Sequence, residues 1–365
     1  MEHRLTEVER RLKEQLPFLT AATKMLQDAG KDPKDAELEP FLQMVHDMKE
    51  TLSNVLGPVI DESGSELQAT ANELWHLTRF VAHGLRTYRV SPGLAELLAK
   101  TNISRIQMKW LRLPFPSFYI ELPPEAETYM YSLDGCRYPI LGVLVTSVRM
   151  AVTGEIYLSL AFTAGNSPEA AKDINSVTFS LHIPFEEHTL ADAMTEVANR
   201  MADLLGEGKL RLTLVTDRFK TWKQFLVQYR KDLGRLVNLV ANTLLYATCD
   251  NPEVTIVRSP RSVLEKKLPK LGPKKRSRLQ RQCARVSGLE QRLLGGSIVI
   301  ERGEREDAEY ATNTGRCVMV RHMVSGHWRH QACGPNKELR RWTWIAPHYR
   351  GPEGSEEIVR KHLLR

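Results

Sequence analysis

The sequence lacks most of the short patterns by which membrane proteins and common enzyme classes are recognised. Its most apolar run, Tyr138 to Val148, is too short to span a bilayer and is interrupted by Pro139, Gly142, Thr146 and Ser147. The N-terminus, Met1 to Arg11, is charged throughout and has none of the apolar core expected of a signal peptide. Cysteine is scarce: there are five (136, 249, 283, 317 and 333), an odd number, with no Cys-x-x-Cys pair. That usage argues against a disulfide framework and for a reducing cytoplasm. No Walker or dinucleotide glycine fingerprint follows a predicted strand, and Gly165, Gly206 and Gly208 read as turn signals. No membrane partner, no cofactor and no oligomeric state is implied by these residues.

What is present is an ordinary globular composition with an uneven charge. The chain has 365 residues, 42% hydrophobic and 26% charged, which is enough for two or three domains with their own cores. Its net charge is +7. Between Arg258 and Arg350 there are 21 Lys/Arg against 8 Asp/Glu, whereas the remainder holds 30 against 36. An acidic body with a basic C-terminal third points to a polyanionic partner, and nucleic acid is the commonest one.

Periodicity divides the chain into three parts. Residues 1 to 105 read as a helical region, with Leu5, Val8, Leu12, Leu16 and Leu19 at three- and four-residue spacing. A break at Asp32-Pro33 precedes a helix from Phe41, and Glu66 to Arg89 reads as one further helix. Ser91-Pro92 has the form of an N-cap with proline at the first helical position. His46, His76 and His83 lie singly on these helices and read as structural or exposed. From Ile106 the period becomes two: residues 106–113, 118–122, 140–148, 155–162 and 177–185 read as five strands of an antiparallel, meander-like sheet. Helices over Thr189–Leu205 and Arg218–Thr248 follow, the second with an apolar stripe able to lie across that sheet, and then a strand from Glu253. The fold class is therefore α+β: an N-terminal helical region (1–105), a central antiparallel sheet with long helices (106–258), and a basic C-terminal region with a β-hairpin (259–365).

The last region carries the chemistry. Lys266, Lys267, Lys270, Lys274, Lys275, Arg276, Arg278, Arg281 and Arg285 occur without one acidic residue among them. Pro269 and Gly272-Pro273 favour an extended first half, and Lys274 to Arg285 a short basic helix. A block this dense suits phosphate contacts, because each ion pair releases a condensed counterion. A strand is expected from Ser297 and an acidic loop over Glu301–Glu309. Then comes Gly326 to Gly351, with three of the six tryptophans, three histidines and four arginines.

Three readings compete for Arg316 to Arg350. A metal site would draw on Cys317, His322, His327, His330 and Cys333, but their spacing fits neither zinc ribbons nor fingers. An extended strand would also turn His327 and His330 to opposite faces. A metal-free ribonuclease needs a base, an acid and a cation on the phosphate; His327 and His348 are the candidate base and acid, with Arg329, Arg340 or Arg350 as the cation. Binding without chemistry needs least. A hairpin through His327–Gln331 and Arg341–Ile345 would put Trp342 and Trp344 on one face as a stacking ledge beside Arg340 and Arg341, for RNA or a ribosome.

The motif Gly326-His327-Trp328-Arg329-x-Gln331, a Gly-Pro turn, then Arg-Arg-x-Thr-Trp344-Ile345-x-Pro347-His348-x-Arg350-Gly-Pro-Glu resembles the C-terminal signature of type V-A anti-CRISPR proteins of the second family, found in phages and plasmids. The matched residues are His327, Trp328, Arg329, Gln331, Trp344, Pro347, His348 and Arg350. The resemblance implies a cytoplasmic protein in a bacterial host that suppresses production of the type V-A effector nuclease. It further implies recognition of the effector's nascent N-terminal polypeptide and loss of the encoding message.

Overall fold

Strand alternation sets the architecture. Along Ser117–Glu121, Phe118 and Ile120 enter one apolar cluster and Tyr119 enters another. Along Arg137–Arg149, Val143 and Val145 face the first cluster while Leu144 and Val148 face the second. A strand apolar on both sides must be covered on both sides, so helices are required on each face.

The computed structural model describes residues 16–47, 65–131, 135–149, 154–165, 178–184, 188–206, 221–283, 288–298, 321–324, 326–345, 348–350 and 357–358, together with Leu12 and Phe219. Eight strands form the main sheet: β1 (Arg86–Val90), β2 (Ser117–Glu121), β3 (Tyr129–Tyr131), β4 (Arg137–Arg149), β5 (Ile156–Ala164), β6 (Thr178–Pro184), β7 (Val254–Val257) and β8 (Glu290–Leu294). Their order is β6-β5-β4-β2-β1-β8-β7, with β3 paired to β4 off this path. Helices α1 (Leu16–Asp28), α2 (Leu38–Asp47) and α3 (Ser65–Ala82) belong to the N-terminal region, and α1 and α3 bury Leu19, Leu26, Leu74, Leu77 and Phe80 in the cluster under one face. On the other face lie α4 (Pro92–Lys100), α5 (Leu190–Gly206) and the 27-residue α6 (Trp222–Thr248). Two shorter helices, α7 (Pro260–Glu265) and α8 (Pro273–Cys283), follow β7.

The α+β class, the helical N-terminal region and the C-terminal hairpin are as expected. The sheet is mixed rather than antiparallel throughout, because β1 runs parallel to both β2 and β8. Parallel neighbours need a long crossover, and residues 91–116, which include α4, supply it between β1 and β2. The helix expected to reach Arg89 ends at Ala82, and Gly84 and Leu85, both at positive φ (91° and 56°), turn the chain into β1. Residues 106–113 do not form a strand. Ile106, Met108 and Leu111 are buried around a single tight turn at Met108–Trp110, with one isolated bridge from Gln107 to Thr189. Their alternation reflects burial without a ladder. The N-cap at Ser91 forms as read, its hydroxyl accepting from Leu94 N at 3.3 Å and donating to Gly295 O at 2.6 Å.

The sheet also draws strands from all three sequence regions, since β1 precedes residue 106 and β8 follows residue 259. Strand β8 precedes the strand expected from Ser297; Ser297 and Ile298 lie in the turn after β8, and the rest of that expected strand, with the acidic loop at Glu301–Glu309, is outside the described residues. The C-terminal strands stay out of the main sheet. Strands β9 (Arg321–Val324), β12 (His348–Arg350) and β13 (Glu357–Ile358) form a three-stranded sheet ordered β12-β9-β13, and β10 (His327–Cys333) pairs with β11 (Leu339–Ile345).

On the face covered by the N-terminal helices, His76 of α3 reaches polar groups of the sheet. Its Nδ1 lies 3.0 Å from Thr146 Oγ1 and its Nε2 3.0 Å from Ser159 Oγ. The ring is 1% exposed, and burial, then His182 and Arg79, hold its pKa well below the usual imidazole range. Below the unfolded pKa of about 6.5 the unfolded chain takes up a proton that the folded chain resists, so stability falls with pH. We expect chemical denaturation to show stability dropping between pH 7 and pH 5 by up to about 1.4 kcal/mol per pH unit from this group. In His76→Gln the dependence should flatten, and an unchanged slope would assign it to other groups.

Candidate functional site

The hairpin is built by alternation and held by one asparagine. Residues directly opposite each other share a face, and the register pairs Trp328 with Trp344 and His330 with Trp342. The Trp328 and Trp344 rings lie 5.1 Å apart, and His330 stacks on Trp342 at 4.7 Å with 15° between planes. This face turns toward the protein. Trp110 meets His330 edge-on at 5.3 Å, Tyr246 of α6 meets Trp344 at 6.4 Å, and the three hairpin tryptophans pack against the main core.

Asn242 of α6, fully buried, anchors the layer. Its Oδ1 accepts the Trp328 indole N–H at 2.7 Å. Its Nδ2 stands 3.1 Å from Leu98 O, 2.9 Å from Thr101 O and 3.0 Å from Asn238 O. The indole can only donate and the carbonyls can only accept, so the amide orientation is fixed. Asn238, one turn earlier, donates to Thr101 O at 2.9 Å, and the Thr101 hydroxyl sits 3.2 Å from Gly326 O at the entrance to β10. The C-terminus of α4, the middle of α6 and the start of the hairpin are thus tied at one point.

The opposite face of the hairpin carries His327, Arg329, Gln331 and Cys333 on β10, and Arg341, Thr343 and Ile345 on β11. His327, Arg329 and Arg341 are exposed. Arg341 pairs with Asp250 at 2.8 Å; both side chains are largely solvated, so the pair contributes little, about 0–1 kcal/mol. The loop closes through Gly334, Asn336 and Lys337, all at positive φ.

Of the predicted residues, the structure gathers His327, Arg329 and Arg341 on the outer face and Trp328, Trp342 and Trp344 on the inner one. Trp342 and Trp344 share a face as the period of two requires, but that face is packed against the core and forms no free stacking ledge. Arg340 extends the tryptophan face at its exposed end, while Arg341 lies across the sheet from it. His327 and His330 point to opposite faces. His348 and Arg350 pair with Val324 and His322 of β9; only their backbone is described, and Pro347 and Arg285 lie outside the described residues. Among the described residues, no three His, Cys, Asp or Glu side chains are grouped to hold a metal ion.

The second half of the basic block is helical as expected, as α8, while its first half is turned rather than extended: Lys266 and Lys267 follow α7, and a tight turn spans Leu268–Lys270. The prolines fall at first-turn positions, where proline favours a helix. Lys266, Lys267, Lys270, Lys274, Lys275, Arg276 and Arg278 are all exposed, and none pairs with a carboxylate among the described residues; of Arg281 only the backbone is described. Sequence reasoning missed Asn238 and Asn242. Two amides four residues apart on the apolar stripe of a helix were the available signal, since a buried amide needs a partner.

With this geometry in place, comparison with known proteins gives the class. The sequence pattern of the AcrVA2-like family, described as the anti-CRISPR type V subtype A2 family, matches residues 88–349. The chain belongs to that family. The match takes in the whole hairpin and leaves the N-terminal helices outside. No curated protein matches the sequence. A solved structure described as "Crystal structure of AcrVA2" is similar over 92% of this chain and 98% of its own, at 13% identity and a TM-score of 0.39.

The Trp328–Asn242 bond is open to a direct test. Trp328→Phe keeps the ring packing but leaves the Asn242 oxygen buried without a donor, which costs about 1–3 kcal/mol. Denaturant titration should show that loss, while Arg329→Ala on the exposed face should change stability by less than about 0.5 kcal/mol. Equal effects would show that the hairpin is not anchored at Asn242.

Proposed function

We propose that this protein suppresses production of a type V-A CRISPR effector, recognising the effector's nascent N-terminal polypeptide and promoting loss of its mRNA, with RNA or the translating ribosome held by the basic C-terminal region. Membership of the anti-CRISPR family supports the role in defence evasion by a mobile element. The observation that carries the RNA component is the row of seven exposed cations from Lys266 to Arg278, without a carboxylate partner among the described residues. The outer face of the hairpin also exposes His327, Arg329 and Arg341. Among the described residues, no helix is long and apolar enough to cross a membrane. In this reading the protein works in the host cytoplasm, where the message is translated.

Two experiments test this. Purified protein should bind single-stranded RNA or ribosomes with an affinity that falls about 10³-fold between 50 and 200 mM salt if all seven cations contact phosphate. Lys274→Glu with Lys275→Glu should reduce that salt dependence; salt-independent binding would overturn the electrostatic component. In cells, co-expression should deplete the effector message when its N-terminal codons are recoded synonymously, and spare it when the encoded residues are replaced. Equal depletion of both would overturn polypeptide recognition. His327 and Arg329 share one exposed face, which keeps a second reading in view: RNA cleavage in EDTA that is lost in His327→Ala would make the protein a metal-free ribonuclease.

A further inference from the structure

Among the described residues, nothing covers the outer edge of the main sheet at β7. This strand pairs with β8 alone, and no strand lies on its other side among the described residues. Its sequence, Val254-Thr255-Ile256-Val257, is β-branched at every position, the residue type that best fits a paired strand. Thr255, Ile256 and Val257 are exposed, with Ile256 at 57% and Val257 at 52%. Successive residues point to opposite faces, so Ile256 and Val257 expose both faces at the C-terminal end of the strand, while Val254 packs against the core. Native edges are ordinarily protected by lysine, proline or a bulge. β7 contains no lysine or proline, and its register with β8 runs without a shift.

We infer that the β7 edge is a docking site for an extended, acidic polypeptide segment, which adds as a strand of about the four-residue length of β7. Charge selects this occupant. Arg258 and Arg261 follow β7 directly, Lys266 and Lys267 come next on the same connection, and all four are exposed. Arg261 pairs with Glu265, and the other three have no carboxylate among the described residues. A second copy of this chain would bring the same cations against themselves. A nucleic acid could meet the cations but has no amide ladder to satisfy β7 or apolar side chains to cover Ile256 and Val257. The inference deepens the polypeptide half of the proposed function and rests on it only for which protein supplies the segment.

The test uses the full chain and three fluorescein-labelled eight-residue peptides: alternating Glu/Val, alternating Lys/Val, and the Glu/Val peptide N-methylated at every residue. The Glu/Val peptide should raise anisotropy saturably, and amide hydrogen exchange at Thr255–Val257 should slow in its presence. N-methylation at every residue keeps charge and side chains but removes the amide donors along both edges of the added strand, and should weaken binding at least tenfold. The Lys/Val peptide should bind at least tenfold more weakly. Equal affinity of the methylated and unmethylated Glu/Val peptides would overturn strand addition, leaving charge capture alone. No binding of the Glu/Val peptide at millimolar concentration, or protection outside β7 only, would overturn the site. Because no effector is present, these results stand apart from the test of message loss in cells.

Discussion

The hydrogen bond from Trp328 to Asn242 is the interaction on which the C-terminal hairpin depends. A two-stranded hairpin is marginal by itself in water. This one becomes part of the fold because its tryptophan face is laid on α6 and α4 and pinned there by an amide that is already committed to three backbone carbonyls. Asn242 has its hydrogens engaged on one side, so its oxygen is left with a single partner, the indole. The cost of a buried polar group without a partner makes this arrangement specific as well as stabilising.

One consequence is a division of labour between the two faces of the hairpin. The aromatic face supplies burial, with Trp328, Trp342 and Trp344 joined by Trp110 and Tyr246 from the body. The other face is left to His327, Arg329 and Arg341 in solvent. The family motif therefore mixes two kinds of residue. Trp328 and Trp344 hold the hairpin in place, whereas His327 and Arg329 lie on its exposed face. The sheet beneath has a similar asymmetry. It is buried on both faces through β2, β4 and β5, yet ends in a strand whose last three residues are exposed.

Much of the fold was legible from periodicity. Helical spacing located α1 and α6, and the period of two located β2, β4, β5 and β6, because burial of one side in two or in three to four residues is a local property of the chain. It failed at residues 106–113, where alternate residues are buried around a tight turn, and at Arg86–Val90, where a strand directly follows a helix. It failed also for parallel pairing. The partners of β1 come from residues 117–121 and 290–294, and nothing within β1 distinguishes them. The basic block showed its charge plainly, but its first half folds as turns, with Pro269 inside the tight turn at Leu268–Lys270, rather than as an extended stretch.

For the candidate site, the hairpin, its loop and the sharing of one face by Trp342 and Trp344 follow from the residues themselves, as does the opposition of His327 and His330. Alternation assigns side chains to faces from sequence alone, and the motif by itself pointed to the family. Which face is turned to solvent was decided only by the tertiary structure. That choice rests on Asn242, which is 86 residues from Trp328 in the chain, and on the apolar surface that α4 and α6 assemble around it. Two faces of a ribbon are equivalent until something distant covers one of them.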